Sequence, residues 1–289
     1  MNILITGCNG QLGNEMQRLE LQHPEYQFFN TDVQELDITC QESVERFVDE
    51  NNIDGIVNCA AYTAVDKAEE NEENEEICTR LNAEAPAYLA HAVGCRGGWI
   101  IQISTDYVFD GTNHTPYTED EETCPNSVYG RTKLVGELNV LKMCRQAAVI
   151  RTAWLYSTFG NNFVKTMIRL GRERQELGVI FDQIGTPTYA RDLARAIFAM
   201  IDKGIVPGTY HFSNEGVCSW YDFTKAIHRM AGIDTCQVRP LHTSEYPTPA
   251  KRPAYSVLDK TKIKQTYGIE IPYWADSLAE CIKAEMSNG

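Results

Sequence analysis

The sequence predicts an α/β fold: a doubly wound parallel sheet covered on both faces, with a smaller C-terminal α/β substrate lobe. Three observations predict it. Short, near-continuous apolar runs alternate with longer helical patterns through the first half of the chain. A glycine-rich turn, "TGCNGQLGNE", follows the first of those runs at once. The alternation then loosens from about residue 155 onward.

Taken in order, the apolar runs place strands at 2–6 ("NILIT"), 27–31 ("QFFNT"), 55–59 ("GIVNC"), 99–104 ("WIIQIS") and 148–154 ("AVIRTAW"). The segments between them read as helices at about 12–22, 41–51, 74–95 and 128–145. Strands joined through helices by right-handed crossovers give a Rossmann-like sheet, whose ligands lie beyond the carboxyl ends of the strands. Further on, helices are expected near 162–174, 190–203, 219–232 and 274–286, with short strands near 178–182, 209–213 and 237–241. The stretch "EYPTPAKRPAYS" (245–256) is proline-rich and basic and reads as an ordered loop. The division expected is 1–155 for the nucleotide-binding sheet domain and 156–289 for the main part of the lobe, some of whose segments return to the sheet.

Composition excludes several classes. With a formal net charge of −14 over 289 residues, no nucleic-acid or anionic-membrane partner is expected, since both reward a basic surface. The start "MNILITGCNG" has no basic leader, and no stretch reaches the ~20 apolar residues of a spanning helix. The expected location is therefore cytoplasmic. The ten cysteines are scattered without C-x-x-C and are expected reduced and mostly buried, with no zinc-like spacing. The acidic run "EENEENEE" (69–76) reads as a solvated helix start.

Chemistry enters at the glycine turn. Gly7, Gly10 and Gly13 are spaced G-x-x-G-x-x-G directly after a strand. Such a turn lets backbone approach a pyrophosphate, and the next helix offers free N–H groups and a positive dipole end. A plain strand-to-helix turn is the competing reading and needs three glycines in register by chance. Asp32 ends the second strand, where an acid accepts from the adenosine ribose. No arginine or lysine follows closely, which favours NAD over NADP; a surface-turn aspartate is the alternative. Asp37 and Ile38 stand where they could meet the adenine. The glycine spacing resembles that of the extended short-chain dehydrogenase/reductase superfamily acting on nucleotide sugars.

That resemblance implies a Ser or Thr at the end of the fourth strand and a Tyr-x-x-x-Lys opening the next helix. The sequence supplies "ISTDYVFDG" (103–111) and "VYGRTKL" (128–134). At about 100° per residue, Leu134, Leu138 and Leu141 form one stripe, read as the core seam, with Tyr129 and Lys133 off it and facing a cleft. A tyrosine of ordinary pKa ~10 is a sluggish acid, and a lysine ammonium one turn away is expected to pull that value down. Thr105 can donate to a carbonyl oxygen that becomes an alkoxide. A second match, Tyr221/Lys225, follows a different strand and reads as a surface helix.

Dehydratases of the superfamily carry an Asp–Glu pair after the catalytic Thr. Here the pair is Asp106 and Tyr107, so half of the second acid/base set is absent. Longer strings resemble the dTDP-4-dehydrorhamnose reductase family: "NCAAYTAVDKAE", "RTAWLY", "GNNFVKTM", "DQIGTPT" and "YPTPAKRPAYSVLD". The resemblance implies NADPH- or NADH-dependent reduction of the C4 ketone of a dTDP-4-dehydro-sugar. It implies phosphate contacts at Gly10, Gln11 and Leu12, and an adenosine end at Asp32, Asp37 and Ile38. Ala61, Tyr62 and Thr63 would line the cofactor. Thr105 and Asp106 would bind substrate, Tyr129 would be the proton donor, and Lys133 would hold the nicotinamide ribose. Trp154 would pack on the sugar unless it is a core tryptophan, and Arg252 would meet the diphosphate unless it is a surface arginine. Some members dimerise through a carboxylate-held metal. Glu15 matches one ligand but Arg191 stands at a second, so a homodimer is a candidate assembly while Mg2+ at Glu15 is the weaker reading and no metal is the expectation. Reduction of another 4-keto-6-deoxy nucleotide sugar, or a non-catalytic role like that of the regulatory subunit of methionine adenosyltransferase, are the alternatives.

Overall fold

A computed structural model describes residues 1–287. Strands β1 (Asn2–Thr6), β2 (Gln27–Thr31), β3 (Gly55–Asn58), β4 (Trp99–Thr105) and β5 (Gln146–Thr152) form one parallel sheet. A sixth strand, Gly208–His211, pairs parallel with β5, so the order is β2-β1-β3-β4-β5 and then this strand. The chain moves outward from β1 to β2 and then returns to β3 on β1's other side. The topological switch between β1 and β3 opens a crevice at the strands' carboxyl ends.

Alternation along β1 assigns the two faces. Ile3 and Ile5 enter a core with Leu12 and Met16 of helix α1 (Gln11–Glu20) and with Leu193 and Ile197 of the helix Ala190–Lys203. Leu4 enters the opposite core with Val44 and Val48 of α2 (Gln41–Glu50) and Leu89 and Val93 of a later helix. Both faces are thus covered, as near-continuous apolar strands require.

The helix expected at 74–95 is three pieces. Helix α3 (Glu72–Thr79) runs into a π-helical turn, Arg80–Glu84, and then into α4 (Ala85–Cys95), with a proline in its first turn. Pro86 has no N–H to give the carbonyl of Asn82. The wide turn turns the Asn82 side chain onto the Tyr62 backbone, accepting from its N at 2.9 Å and donating to its O at 3.1 Å. Helix α5 (Val128–Met143) packs against this turn; a Cβ at Gly136 would collide with the Asn82 carbonyl.

The C-terminal half divides its loyalty. The strand expected at 209–213 is the sheet's sixth, and the unforeseen helix Thr261–Tyr267 packs Ile263 and Tyr267 into the α1 face. A separate core gathers Tyr156, Ile168, Val179, Phe223, Val238 and Leu278. Its strands Glu176–Ile180 and Gln237–Leu241 pair parallel. All ten cysteines are free. Among the described residues no helix is long and apolar enough to cross a membrane.

Candidate active site

A cleft of ≈ 850 Å³ opens at the switch point and runs along the carboxyl ends of β1 to β5. Its floor is the glycine turn. Gly7 has φ 63°, and a Cβ there would come within 2.7 Å of the Ala60 nitrogen. A Cβ at Gly13 would collide with the Gly7 carbonyl, so this residue sets how closely α1 approaches the turn. Gly10 is the N-cap of α1 and no side chain caps that end. The first-turn N–H groups are therefore available to an anion, and Gly7, Gly10, Gln11 and Leu12 all line the cleft. Asp32, Asp37 and Ile38 line it further out. Asp32 also accepts from Asn9 N at 3.2 Å, tying the turn to the end of β2.

The opposite wall holds Ala61, Thr63, Thr105, Asp106, Tyr129 and Lys133. Tyr62 does not line the cleft; it packs on Ala68, Cys78 and Val128. Thr105 donates to Asp106 Oδ1 at 3.0 Å and accepts from Tyr107 N at 3.2 Å. The start of α5 is held twice, by Ser127 Oγ accepting from Gly130 N at 3.0 Å and by Glu69 accepting from Val128 N at 2.6 Å. Glu69 is thus a helix cap, whereas the sequence suggested only a solvated acid.

The leucine stripe is not the core seam. Leu138 is 58% exposed and Leu141 38%, while Thr132, Lys133, Gly136, Glu137 and Val140 face inward. The side of α5 that carries Lys133 is its buried side, because two glycines and a threonine let it lie close on neighbouring backbone. Lys133 Nζ donates to Ile103 O at 2.5 Å. That carbonyl also accepts from Gln102, whose side chain continues a buried chain to Asn58 and Thr6 with links of 2.7 and 2.6 Å.

Burial dominates the electrostatics. It lowers Lys133 from 10.5 to about 8, with the Glu137 carboxylate opposing. It raises Tyr129 well above the usual phenol range, with the Thr105 hydroxyl opposing. The expected lowering of Tyr129 by Lys133 is absent, since the ammonium is turned to the β4 carbonyl. Asp106, 2% exposed, is raised from 3.8 to about 6 by burial, held back by the Ser256 and Thr105 hydroxyls. Its Oδ2 has no hydrogen-bond partner, and neither has the neighbouring Ser104 hydroxyl. Tyr107 is raised to about 12 by burial, with the Arg252 guanidinium opposing.

Trp154 lies two residues beyond β5 at φ 49° and lines the cleft. It also stacks on Trp220 of the lobe, with centroids 3.5 Å apart, so it is both a packed and a cleft-facing residue. Arg252 does not line the cleft; it holds Tyr107 and Asp66. Sequence reading passed over Gly160, Asn161 and Asn162, which line the cleft opposite α1. Asn162 Nδ2 donates to Gln11 Oε1 at 3.1 Å and its Oδ1 accepts from Lys165 N at 3.1 Å, capping the next helix. The string "GNNFVKTM" held that signal as an asparagine before a helical pattern.

Glu15 does not fit a metal. It is fully buried, accepts from Ser157 Oγ at 2.8 Å and pairs with Arg191 Nε at 3.1 Å. Arg191 reaches on to Glu280 at 2.8 Å, so a guanidinium already supplies the cation between these carboxylates.

The family described as RmlD substrate binding domain matches residues 1–287. The chain is 40% identical over 288 residues to the dTDP-4-dehydrorhamnose reductase of Aggregatibacter actinomycetemcomitans, covering 96% of each. It is similar to the crystal structure of a dTDP-4-dehydrorhamnose reductase from Clostridium acetobutylicum, with 48% identity and a TM-score of 0.94 over 99% of this chain and 100% of that one. A Bacillus anthracis dTDP-4-dehydrorhamnose reductase in complex with NADP is 39% identical, with a TM-score of 0.93 over 98% and 99% of the two chains.

Proposed function

The chain belongs to the dTDP-4-dehydrorhamnose reductase family, and from that premise we propose how its cleft works. It is an NAD(P)H-dependent oxidoreductase that reduces the C4 ketone of dTDP-4-dehydro-β-L-rhamnose to dTDP-β-L-rhamnose. When bound, the reduced nicotinamide supplies the hydride. The sheet domain, 1–155, holds that cofactor on the uncapped start of α1 and the Gly7–Gly13 turn, with Asp32 on the adenosine side. No cation occurs between Val33 and Cys40 to balance a 2′-phosphate, which supports ready use of NADH.

As the C4 oxygen gains charge, the Thr105 hydroxyl donates to it and Tyr129 gives up its phenolic proton. Lys133, whose ammonium donates to the Ile103 carbonyl and lines the cleft, would hold the nicotinamide ribose. Asp106 presents its unpartnered Oδ2 to a sugar hydroxyl, and Trp154, backed by Trp220 of the lobe, 156–289, packs against the ring. Any homodimer assembles without a bridging ion, since Arg191 stands between Glu15 and Glu280.

The observation that carries this reading is that Thr105, Tyr129, Lys133 and the glycine turn line one cleft, although more than a hundred residues separate the first from the last. The test is nicotinamide oxidation with dTDP-4-dehydrorhamnose made in place, beside a panel of other 4-keto-6-deoxy nucleotide sugars and with both cofactors. Turnover with the dTDP-rhamnose precursor is expected. Turnover with another sugar alone would move the substrate, and none at all would end the assignment.

A further inference from the structure

Arg252 lies outside the cleft, yet its two terminal nitrogens reach two different loops that frame it. Nη2 meets Asp66 Oδ2 at 2.5 Å, and Nη1 donates to the Tyr107 hydroxyl at 2.7 Å. Asp66 lies in the loop after β3 and its other oxygen accepts from Ala250 N at 3.2 Å. Tyr107 belongs to the turn that follows Thr105 and Asp106. One guanidinium fork thus joins the 245–256 loop to the loops after β3 and β4. The side chains of Arg252 and Asp66 are 23% and 37% exposed, so the pair is neither freely solvated nor sealed.

Tyr107 carries the connection inward. Its ring meets Tyr129 edge to face, with centroids 5.5 Å apart and planes at 80°. Its carbonyl faces Gly130, where a Cβ would collide with it. Tyr107 lines the large cleft on one side and a small cavity shared with Arg252 on the other. An anchored hydroxyl at one end and a backbone abutment at the other leave the Tyr107 ring little freedom to rotate, and Tyr129 leans on that ring.

We propose that Tyr107 is a positioning residue for Tyr129 and that Arg252, clamped by Asp66, is the latch that fixes it, rather than a partner of the substrate diphosphate. Closing the latch also seats the 245–256 loop, so loop order and phenol orientation are one event. The inference rests on Tyr129 being the proton donor of the reaction proposed above. A lysine at 252 keeps the charge but cannot reach two acceptors in one plane.

The experiment compares wild type with Tyr107→Phe, Arg252→Met, Arg252→Lys and the Tyr107→Phe/Arg252→Met double variant. Each single change to Phe or Met lowers kcat about tenfold, leaves cofactor Kd within about twofold, and the double variant is no slower than the worse single. Arg252→Lys recovers only part of the loss. A rise in KM at unchanged kcat for Arg252→Met would place Arg252 on the substrate instead, and additive losses would break the chain through Tyr107. Tryptic cleavage after the exposed Lys251 needs no turnover and reports the loop directly. Tyr107→Phe is expected to speed it several-fold, and an unchanged rate overturns the latch. Wild type inert on every nucleotide sugar would sink the reductase reading, leaving the cleavage rates to decide the latch alone.

Discussion

Two helices of this molecule begin alike and end in different roles. In α5 and in the helix Trp220–Met230, a serine caps the first turn, a tyrosine stands second and a lysine follows four residues later. Ser127 accepts from Gly130 N, and Ser219 accepts from Asp222 N, each at 3.0 Å. The third helical position separates them. Asp222 completes a capping box on Ser219, whereas Gly130 has no side chain because the Tyr107 carbonyl occupies that space. The acid that α5 cannot carry itself comes from a remote 3-10 turn, Lys67–Glu69, as Glu69. Lys133 is 3% exposed and bonds β4 backbone, while Lys225 is exposed to solvent. Local spacing therefore defines a helix start, and the element packed against it decides whether the start carries chemistry.

The largest expected effect tests that difference directly. Tyr129→Phe should lower kcat by about 10³ while leaving cofactor affinity within about twofold, since only the transferred proton is removed. Tyr221→Phe, on the matching position of the other helix, should leave kcat within about twofold. Steady-state turnover with cofactor binding by fluorescence separates the two. Comparable losses from both would mean that the spacing, and not the packing, carries the function.

A middle-sized effect is expected at Gly130. A methyl there must push the start of α5 off the Tyr107 carbonyl, moving Tyr129 away from Thr105. Gly130→Ala should cost roughly 10- to 100-fold in kcat and about 1–3 kcal/mol of stability. Activity with thermal melting checks it, and wild-type values in both would show that α5 does not need this close approach.

How much of this was legible beforehand follows the same division. The glycine turn, Asp32 and the Tyr129/Lys133 pair depend on local backbone geometry, and they could be read from spacing. The orientation of α5 could not, because leucines at helical spacing ordinarily mark the buried face. Here close backbone approach at Gly130 and Gly136 buries the polar face instead. The break in the helix at Arg80–Glu84 was signalled only by Pro86, and its use, holding Tyr62 through Asn82, depends on a tertiary contact. That some segment of 156–289 returns to the sheet was expected, but not that it is the strand Gly208–His211, because sequence order does not disclose which edge of a sheet remains open. That Arg252 meets Asp66 and Tyr107 was not legible, because those partners are 186 and 145 residues away. Arg191 was noticed as a departure from a metal site, but only the geometry shows it pairing with both Glu15 and Glu280.

The smallest effect is a matter of sign. Asp106 and Asp222 flank the starts of the two helices, one buried with an oxygen unpartnered, the other satisfied by its own cap. The folded chain holds Asp106 at about 6 against an ordinary 3.8. A carboxyl raised in the fold is ionised at a cost above about pH 6, and that cost fades as pH falls from 6 toward 3.8, below which both states are protonated. Asp106→Asn should therefore stabilise the free protein by about 1–3 kcal/mol at neutral pH, the gain shrinking as pH falls through that window, although turnover drops. Asp222→Ala should instead cost about 1 kcal/mol by removing half of the capping box. Thermal melts of both variants from pH 4 to pH 8 provide the comparison. A stabilisation by Asp106→Asn that did not vary with pH would mean that a relieved charge is not its source, and the buried oxygen would lose its claim to be waiting for a sugar hydroxyl.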